Sequence, residues 1–363
     1  MTNESHGSGG SQAPRTMDRR SFIRDVALGG AAAVIAGGAL AAPDGARACP
    51  GDGGANDQVI PVGSPVAIGE LKSLKVTCLS EVGWWSTPQF LAEINAAGGM
   101  STSQWTIPFS PKNSGGYSAL IEAEACDGTI HTVLLDTGWN TDYMRWVFER
   151  EGVAKKLESG LIDRAILSHE HLDHFWGLPA LTKLNRKVPF WVPSTLSQDA
   201  WNFIDDSKLK GQITQVTPGT VHKHFPGFAT TVINCSPILA IHGEQVLFFN
   251  VKDKGLVIVT GCGHFGIQNG IAFARANIQT KANRFYGLFG GLHISALETW
   301  SPAADVMLDA IQAAQFSVVA SNHCTGLTAM GKMIARGFPV KVGSANFGSK
   351  SDRYIGNGDS ITF

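Results

Sequence analysis

His169, His171, Asp173 and His174 crowd into a six-residue run, directly after the apolar stretch Ala165-Ile166-Leu167. Neutral imidazole and carboxylate are ligands for zinc and similar divalent ions. The apolar stretch reads as a buried strand. Alternate residues at a strand end face one side, so His169 and His171 point together and can share one ion. Asp173 and His174 lie where the chain turns into a helix and can face a neighbouring ion. Such a pattern suits two ions about 3.5–4 Å apart, as two-metal hydrolases require. Asp173 is also a candidate to shuttle a proton.

Four further histidines stand in short glycine-bearing contexts downstream: Gly261-Cys262-Gly263-His264, Gly290-Gly291-Leu292-His293, Asn322-His323-Cys324-Thr325-Gly326 and Ile241-His242-Gly243-Glu244-Gln245. Two of these follow apolar strands, which places them on the rim of a site. A thiolate is a good zinc ligand, so Cys262 either ligates or packs beneath the site. His293 either contacts substrate, supports a ligand, or is a buried structural residue. Asp136 ends an apolar strand and is expected to orient a metal-binding histidine or shape its loop. Trp139 and Trp176 flank the proposed metal loops. A tryptophan there narrows the pocket and favours an apolar or aromatic substrate, unless it serves as core packing.

The elements that must position these groups follow from periodicity. Leu74–Leu79 alternates as a strand. Tyr117–Ala123 and Ile130–Leu135 read as a hairpin, Tyr143–Glu158 as an amphipathic helix, and Arg164–Leu167 as the next strand. Residues 196–225 read as a helical insertion near the site mouth. Strands return at Thr230–Asn234, Val246–Val251, Leu256–Thr260, Phe285–Leu288 and Ser317–Ala320, with helices at Ile267–Thr280 and Ala303–Gln315. Val340–Val342 and Ser360–Phe363 close the sheet. This order predicts one α/β domain over residues 71–363, preceded by a linker or arm at 49–70.

An apolar content of 44% against 16% charged residues supplies a substantial core for 363 residues. The net charge is −1 and no Lys/Arg block interrupts the body of the chain. That argues against a nucleic-acid partner held by counterion release, and a small-molecule substrate is expected. The segment Asp18-Arg19-Arg20-Ser21-Phe22-Ile23-Arg24, followed by the Ala/Gly-rich stretch Val26–Ala42, resembles a twin-arginine export signal over residues 1–48. It implies passage through the twin-arginine translocation machinery and a periplasmic or secreted location. Cleavage after Ala48 would leave Cys49 first, but Arg47 is a poor match to a lipid-anchoring site. In an oxidising compartment Cys49, Cys78, Cys126 and Cys235 are available to pair, with no connectivity readable.

Taken together, Leu134-Leu135-Asp136-Thr137-Gly138, the 169–174 run, Thr260-Gly261-Cys262-Gly263-His264, Gly290–His293 and His323–Gly326 resemble the metallo-β-lactamase superfamily. They resemble in particular its branch of 7,8-dihydropterin-6-methyl-4-(β-D-ribofuranosyl)-aminobenzene-5'-phosphate synthase-type proteins. The resemblance covers nearly all of residues 71–363 and implies an αββα sandwich with metals at one edge. It also implies that His169, His171 and His264 hold one ion and Asp173, His174 and His323 the other. His242 competes with His264, since it precedes Cys262 by 20 residues, near the spacing of the superfamily's usual third histidine. Cys262 stands where many members carry a metal-bridging aspartate. The implied cofactor is zinc, two ions, with iron and manganese compatible with the same ligands. The implied activity is metal-dependent hydrolysis of an ester, lactone, amide or phosphoester. An iron-dependent redox enzyme and a non-catalytic metal-binding protein are the competing expectations.

Overall fold

The computed structural model describes residues 57–235 and 238–363. The export-signal segment 1–48, Cys49 included in the residues that follow it, and the first part of the arm lie outside the described residues.

The strands run in chain order as β1 (Gln58–Pro61), β2 (Val66–Ala67), β3 (Leu71–Ser80), β4 (Ser118–Ala125), β5 (Ile130–Leu135), β6 (Arg164–Ile166), β7 (Phe190–Pro193) and β8 (Ile213–Val216). They continue with β9 (Thr220–Phe225), β10 (Phe228–Asn234), β11 (Gly243–Val251), β12 (Gly255–Thr260), β13 (Ile278–Gln279), β14 (Phe285–Gly290), β15 (Val318–Ser321) and β16 (Ser360–Thr362). Strand β11 is the branch point. It pairs antiparallel with β10 and with β12, and its last residue, Val251, pairs with Leu71 of β3. That link joins a half built on β3 to β8 with one built on β9 to β12, β14 and β15 in a single large curled sheet.

Side-chain parity explains how the halves stack. Leu74, Val76, Ile121, Val133 and Leu135 from the first half pack with Leu247, Phe249, Val257, Val259 and Phe289 from the second. Residues of opposite parity turn outward onto helices. Leu120 and Leu134 meet Met144, Phe148, Leu157 and Leu181 on one side, while Phe248, Ile258 and Leu288 meet Ile271, Leu308 and Met330 on the other. Four layers result, helix–sheet–sheet–helix, the αββα order expected. A strand covered on both faces carries no polar alternation, which is why β12 reads Gly-Leu-Val-Ile-Val-Thr without a break.

Several expectations need correction. In the described part of the expected linker or arm, β1 pairs with β9, β2 pairs with β13, and Ile68 is fully buried. The helix expected over 143–158 is two helices, Thr141–Arg150 and Val153–Glu158, separated by Gly152 at φ 72°. The first starts where the Asn140 side chain accepts the Asp142 and Tyr143 amides. The segment 196–225 is helical only at Gln198–Asp206 and then becomes β8 and β9. Its polar residues misled, since His222, Lys223 and His224 are buried within β9 and do not form a solvated helix face. Val340 makes an isolated bridge to Val319, and closure falls to β16 against β3. Of the cysteines thought free to pair, Cys126 is disulfide-bonded, whereas Cys78 and Cys235 are free.

Candidate metal centre

Strands β5, β6, β12, β14 and β15 all end at one edge of the sandwich, and the loops that leave them carry the motifs. The loop after β6 is clamped on both flanks. Gln104 donates its amide N–H to the Glu170 carbonyl and accepts the Leu172 N–H, each at 2.7 Å. Tyr117 N–H reaches the Asp173 carbonyl and Thr137 N–H the His174 carbonyl. Glu170 points away from the histidines and accepts the Ser197 N–H and hydroxyl, which ties the loop to the start of helix Gln198–Asp206.

Five imidazoles converge inside this edge, and each has its outward nitrogen spoken for. His169 Nδ1 lies 2.9 Å from Ser168 Oγ, which itself donates to Asp136 Oδ2 at 2.7 Å. His171 Nε2 donates to the Ile238 carbonyl at 2.8 Å, and His174 Nδ1 to Asp136 Oδ2 at 2.7 Å. His264 Nδ1 donates to Glu244 Oε2 at 3.0 Å and His323 Nδ1 to the Glu81 carbonyl at 2.8 Å. Carbonyl and carboxylate only accept, so these bonds fix the tautomers and turn the second nitrogen of each ring inward.

The inward atoms form two overlapping groups that meet at Cys262. His169 and His264 share one with the Cys262 thiol, and His174 and His323 share another. His171 Nδ1 joins the first at 3.1 Å from His169 Nε2. Asp173 Oδ2 joins the second at 3.3 Å from His323 Nε2, and Cys262 Sγ lies 3.1 Å from His174 Nε2. Burial keeps His169 well below the usual imidazole range and, with His264 nearby, pulls His171 down to about 3. Both rings are therefore neutral, and no proton remains between His169 Nε2 and His171 Nδ1. Two lone pairs face each other there, a contact that a cation relieves. Tetrahedral zinc with Zn–N near 2.05 Å spaces its nitrogens by about 3.3 Å, close to the separation seen. The donor set fits divalent metal.

The structure thus brings together His169, His171, Asp173, His174, His264, His323 and Cys262, with Asp136 buried behind them. It does not bring in His242. That residue is exposed on the approach to β11, with its carbonyl paired to the Cys235 N–H. The motif around it matters through the next residues instead. Glu244 is buried and accepts the backbone N–H groups of Cys262, Gly263 and His264 as well as the His264 ring. A carboxylate just ahead of the apolar run Val246-Leu247-Phe248-Phe249 was the available signal for this role. Glu81, whose carbonyl positions His323, directly follows β3 and offered a weaker one. Gln104 gave none.

A cavity of about 300 Å³ opens above the cluster. His171, Asp173, Cys262, His264, His293, His323 and Cys324 form its polar floor, and Trp84, Phe90, Met100, Leu172, Ile238, Leu239, Ala296 and Leu297 its walls. Among the described residues, no lysine or arginine lines it. Trp139 and Trp176, expected either to narrow the pocket or to serve as core packing, are not among the lining residues. Trp176 packs against Trp105 and Trp139, and Trp139 against Phe90, so they back the wall that Phe90 presents. The 196–225 segment contributes nothing to the mouth.

Residues 114–238 match the model described as the metallo-beta-lactamase superfamily. A 7,8-dihydropterin-6-methyl-4-(beta-D-ribofuranosyl)-aminobenzene-5'-phosphate synthase of Methanocaldococcus jannaschii is 24% identical over 250 residues, covering 59% of this chain and 82% of the relative. Among solved structures, a metal-dependent hydrolase of the beta-lactamase superfamily is similar with a TM-score of 0.49 and 18% identity, covering 80% of this chain and 98% of its own. A quorum-quenching N-acyl homoserine lactone lactonase has a TM-score of 0.35 and 15% identity, covering 70% of this chain and 92% of its own.

Proposed function

We infer that the match over residues 114–238 marks a metallo-beta-lactamase superfamily domain, and a fold of this kind implies a divalent metal. We propose that the protein is a metal-dependent hydrolase, holding two zinc ions, that opens a neutral ester, lactone or amide bearing an apolar or aromatic part. The observation behind this reading is the convergence of five inward imidazole nitrogens with Asp173 and Cys262 at the base of a cavity with apolar walls, whose floor His171, His264 and His323 reach. His169, His171 and His264 would hold one ion; Asp173, His174 and His323 the other. Bound divalent metal supplies an activated water near neutral pH and polarises the scissile oxygen.

The chain's own residues contribute binding and water exclusion. Trp84, Phe90, Met100 and Leu239 remove an apolar substrate part from water and leave the scissile bond over the polar floor. Burial alone would raise the Asp173 carboxyl, but the facing His174 and His323 hold it far below the carboxylate range. It is ionised at working pH, which suits a ligand or hydrogen-bond acceptor better than a proton shuttle. The relative from M. jannaschii is named for a 5'-phosphate compound. A cavity without lysine or arginine speaks for an uncharged substrate here, and a phosphoester is the less favoured member of the set.

The proposal includes export through the twin-arginine route, resting on Arg19, Arg20 and the apolar stretch behind them. The disulfide at Cys126 suits an oxidising compartment.

The test is a metal-loaded protein assayed against aryl esters and lactones of increasing acyl length, with phosphodiesters alongside and elemental analysis in parallel. Turnover that rises with acyl length and disappears in His169→Ala/His171→Ala supports the reading. Equal turnover by that double variant, or turnover of phosphodiesters alone, overturns it.

A further inference from the structure

Strands β12, β14 and β15 are parallel neighbours in register, with Thr260 opposite Gly290 and Gly290 opposite Ser321. The residues that follow, Cys262, His293 and Cys324, therefore leave adjacent strand ends on the same edge. Their ligand atoms all lie within 4.8 Å of one another. Both cysteines are buried and free. Cys324 Sγ accepts the His293 backbone N–H at 3.3 Å and lies 3.3 Å from the Cys262 carbonyl, which ties the three residues together. His293 Nδ1 is buried without a hydrogen-bond partner. All three side chains reach the cavity floor.

We propose that Cys262, His293 and Cys324 form a separate position for a thiophilic metal ion, zinc or one of similar softness. Two thiolates and one imidazole select such ions over magnesium, calcium or manganese. Three protein ligands with a remaining direction open to a cavity is a recognised zinc arrangement. The ion gives the buried His293 nitrogen the partner it lacks. This position differs in chemistry from the histidine centre, with which it shares only Cys262, a thiolate able to touch both. It stands independently of the hydrolase reading, because loading can be read on protein that turns over nothing.

The experiment uses the full mature chain, reduced and freed of metal, then titrated with zinc for elemental analysis and with cobalt(II) as a spectroscopic probe. Wild type is compared with Cys324→Ser, and with Cys78→Ser as a buried-thiol control. The expected result is a thiolate-to-cobalt charge-transfer band that weakens in Cys324→Ser, together with loss of one zinc equivalent per chain, and no change in Cys78→Ser. If Cys324→Ser does not fold, His293→Gln replaces it with the same expected loss of one equivalent. Identical metal content and spectra in wild type and variant overturn the proposal. So does a Cys262–Cys324 disulfide in the isolated protein that, once reduced, yields no additional metal binding.

Discussion

The Glu244 carboxylate holds His264 at two points, accepting its backbone N–H at 2.8 Å and its ring Nδ1–H at 3.0 Å. The other oxygen takes the amides of Cys262 and Gly263. One buried side chain on β11 thus sets the loop that carries both a histidine and a thiol of the centre. Glu244→Gln keeps the shape but turns an NH2 group toward donors. Metal affinity is expected to fall about 10–100-fold, the usual cost of losing a partner behind a ligand. Glu244→Ala, which leaves buried N–H groups unmatched, is expected to lose about 1–3 kcal/mol of stability. Chelator competition and denaturant melts read the two effects. Wild-type affinity in Glu244→Gln would remove this role from the carboxylate.

Asp173 has room for its carboxylate because position 83 has no side chain. A Cβ at Gly83 would overlap Asp173 Oδ2 and stand 3.0 Å from His323 Cε1. Gly83→Ala is therefore expected to displace a proposed ligand while leaving the sandwich core untouched. Its melting without metal should stay near wild type, and the stabilisation that added zinc gives should shrink. Equal zinc stabilisation in the two proteins would show that the loop yields and Asp173 keeps its place.

The apolar wall carries the substrate prediction. Trp84 stacks on Phe90 with ring centres 4.3 Å apart, and both rings line the cavity. Trp84→Ala removes half of that stack at a half-buried position, so the fold is expected to survive. The preference in kcat/KM for long over short acyl esters is expected to drop about tenfold or more, on the scale of one to two methylene contacts. An unchanged ratio with lowered turnover on all esters would place Trp84 outside the substrate's path.

The layers were legible because apolar period and strand length survive in a single sequence. Leu134 and Leu135 already showed a strand buried on both faces, and the parallel strands ending at Ile166 and Thr260 pointed to one edge. The six-residue histidine run was legible for the same local reason. What escaped depends on distance along the chain. Gln104 reaches a loop 66 residues away, and nothing near it marks that contact. His242 and Glu244 are two residues apart, but His242 lies before β11 begins and is exposed, whereas Glu244 is inside the strand and buried against the centre. Imidazole drew the attention that the neighbouring buried carboxylate merited. Trp176 has the composition of a pocket wall but packs one layer behind it, which only the fold can decide.

His174 is pulled in two directions, and the outcome is measurable as protons. Burial opposes its charge, but Asp173 and Asp136 on either side raise it to about 9. That upward shift favours protons on both nitrogens at neutral pH without metal, with His174 Nε2 3.1 Å from His323 Nε2. A bound ion must displace the Nε2 proton. Below about pH 9 metal and proton therefore compete, and apparent affinity is expected to fall about tenfold per pH unit for each proton displaced. If Cys262 ligates, its thiol, raised by burial, adds a second. Calorimetric titration with zinc at pH 7 in buffers of different ionisation enthalpy counts the protons released. Asp136→Asn removes one of the two charges holding His174 up, so it should release fewer protons and bind zinc with a flatter pH dependence. No net release from the wild type would mean that His174 is neutral before the ion arrives. The buried Asp136 carboxyl would then hold the proton itself, in line with the upward pull that burial exerts on it.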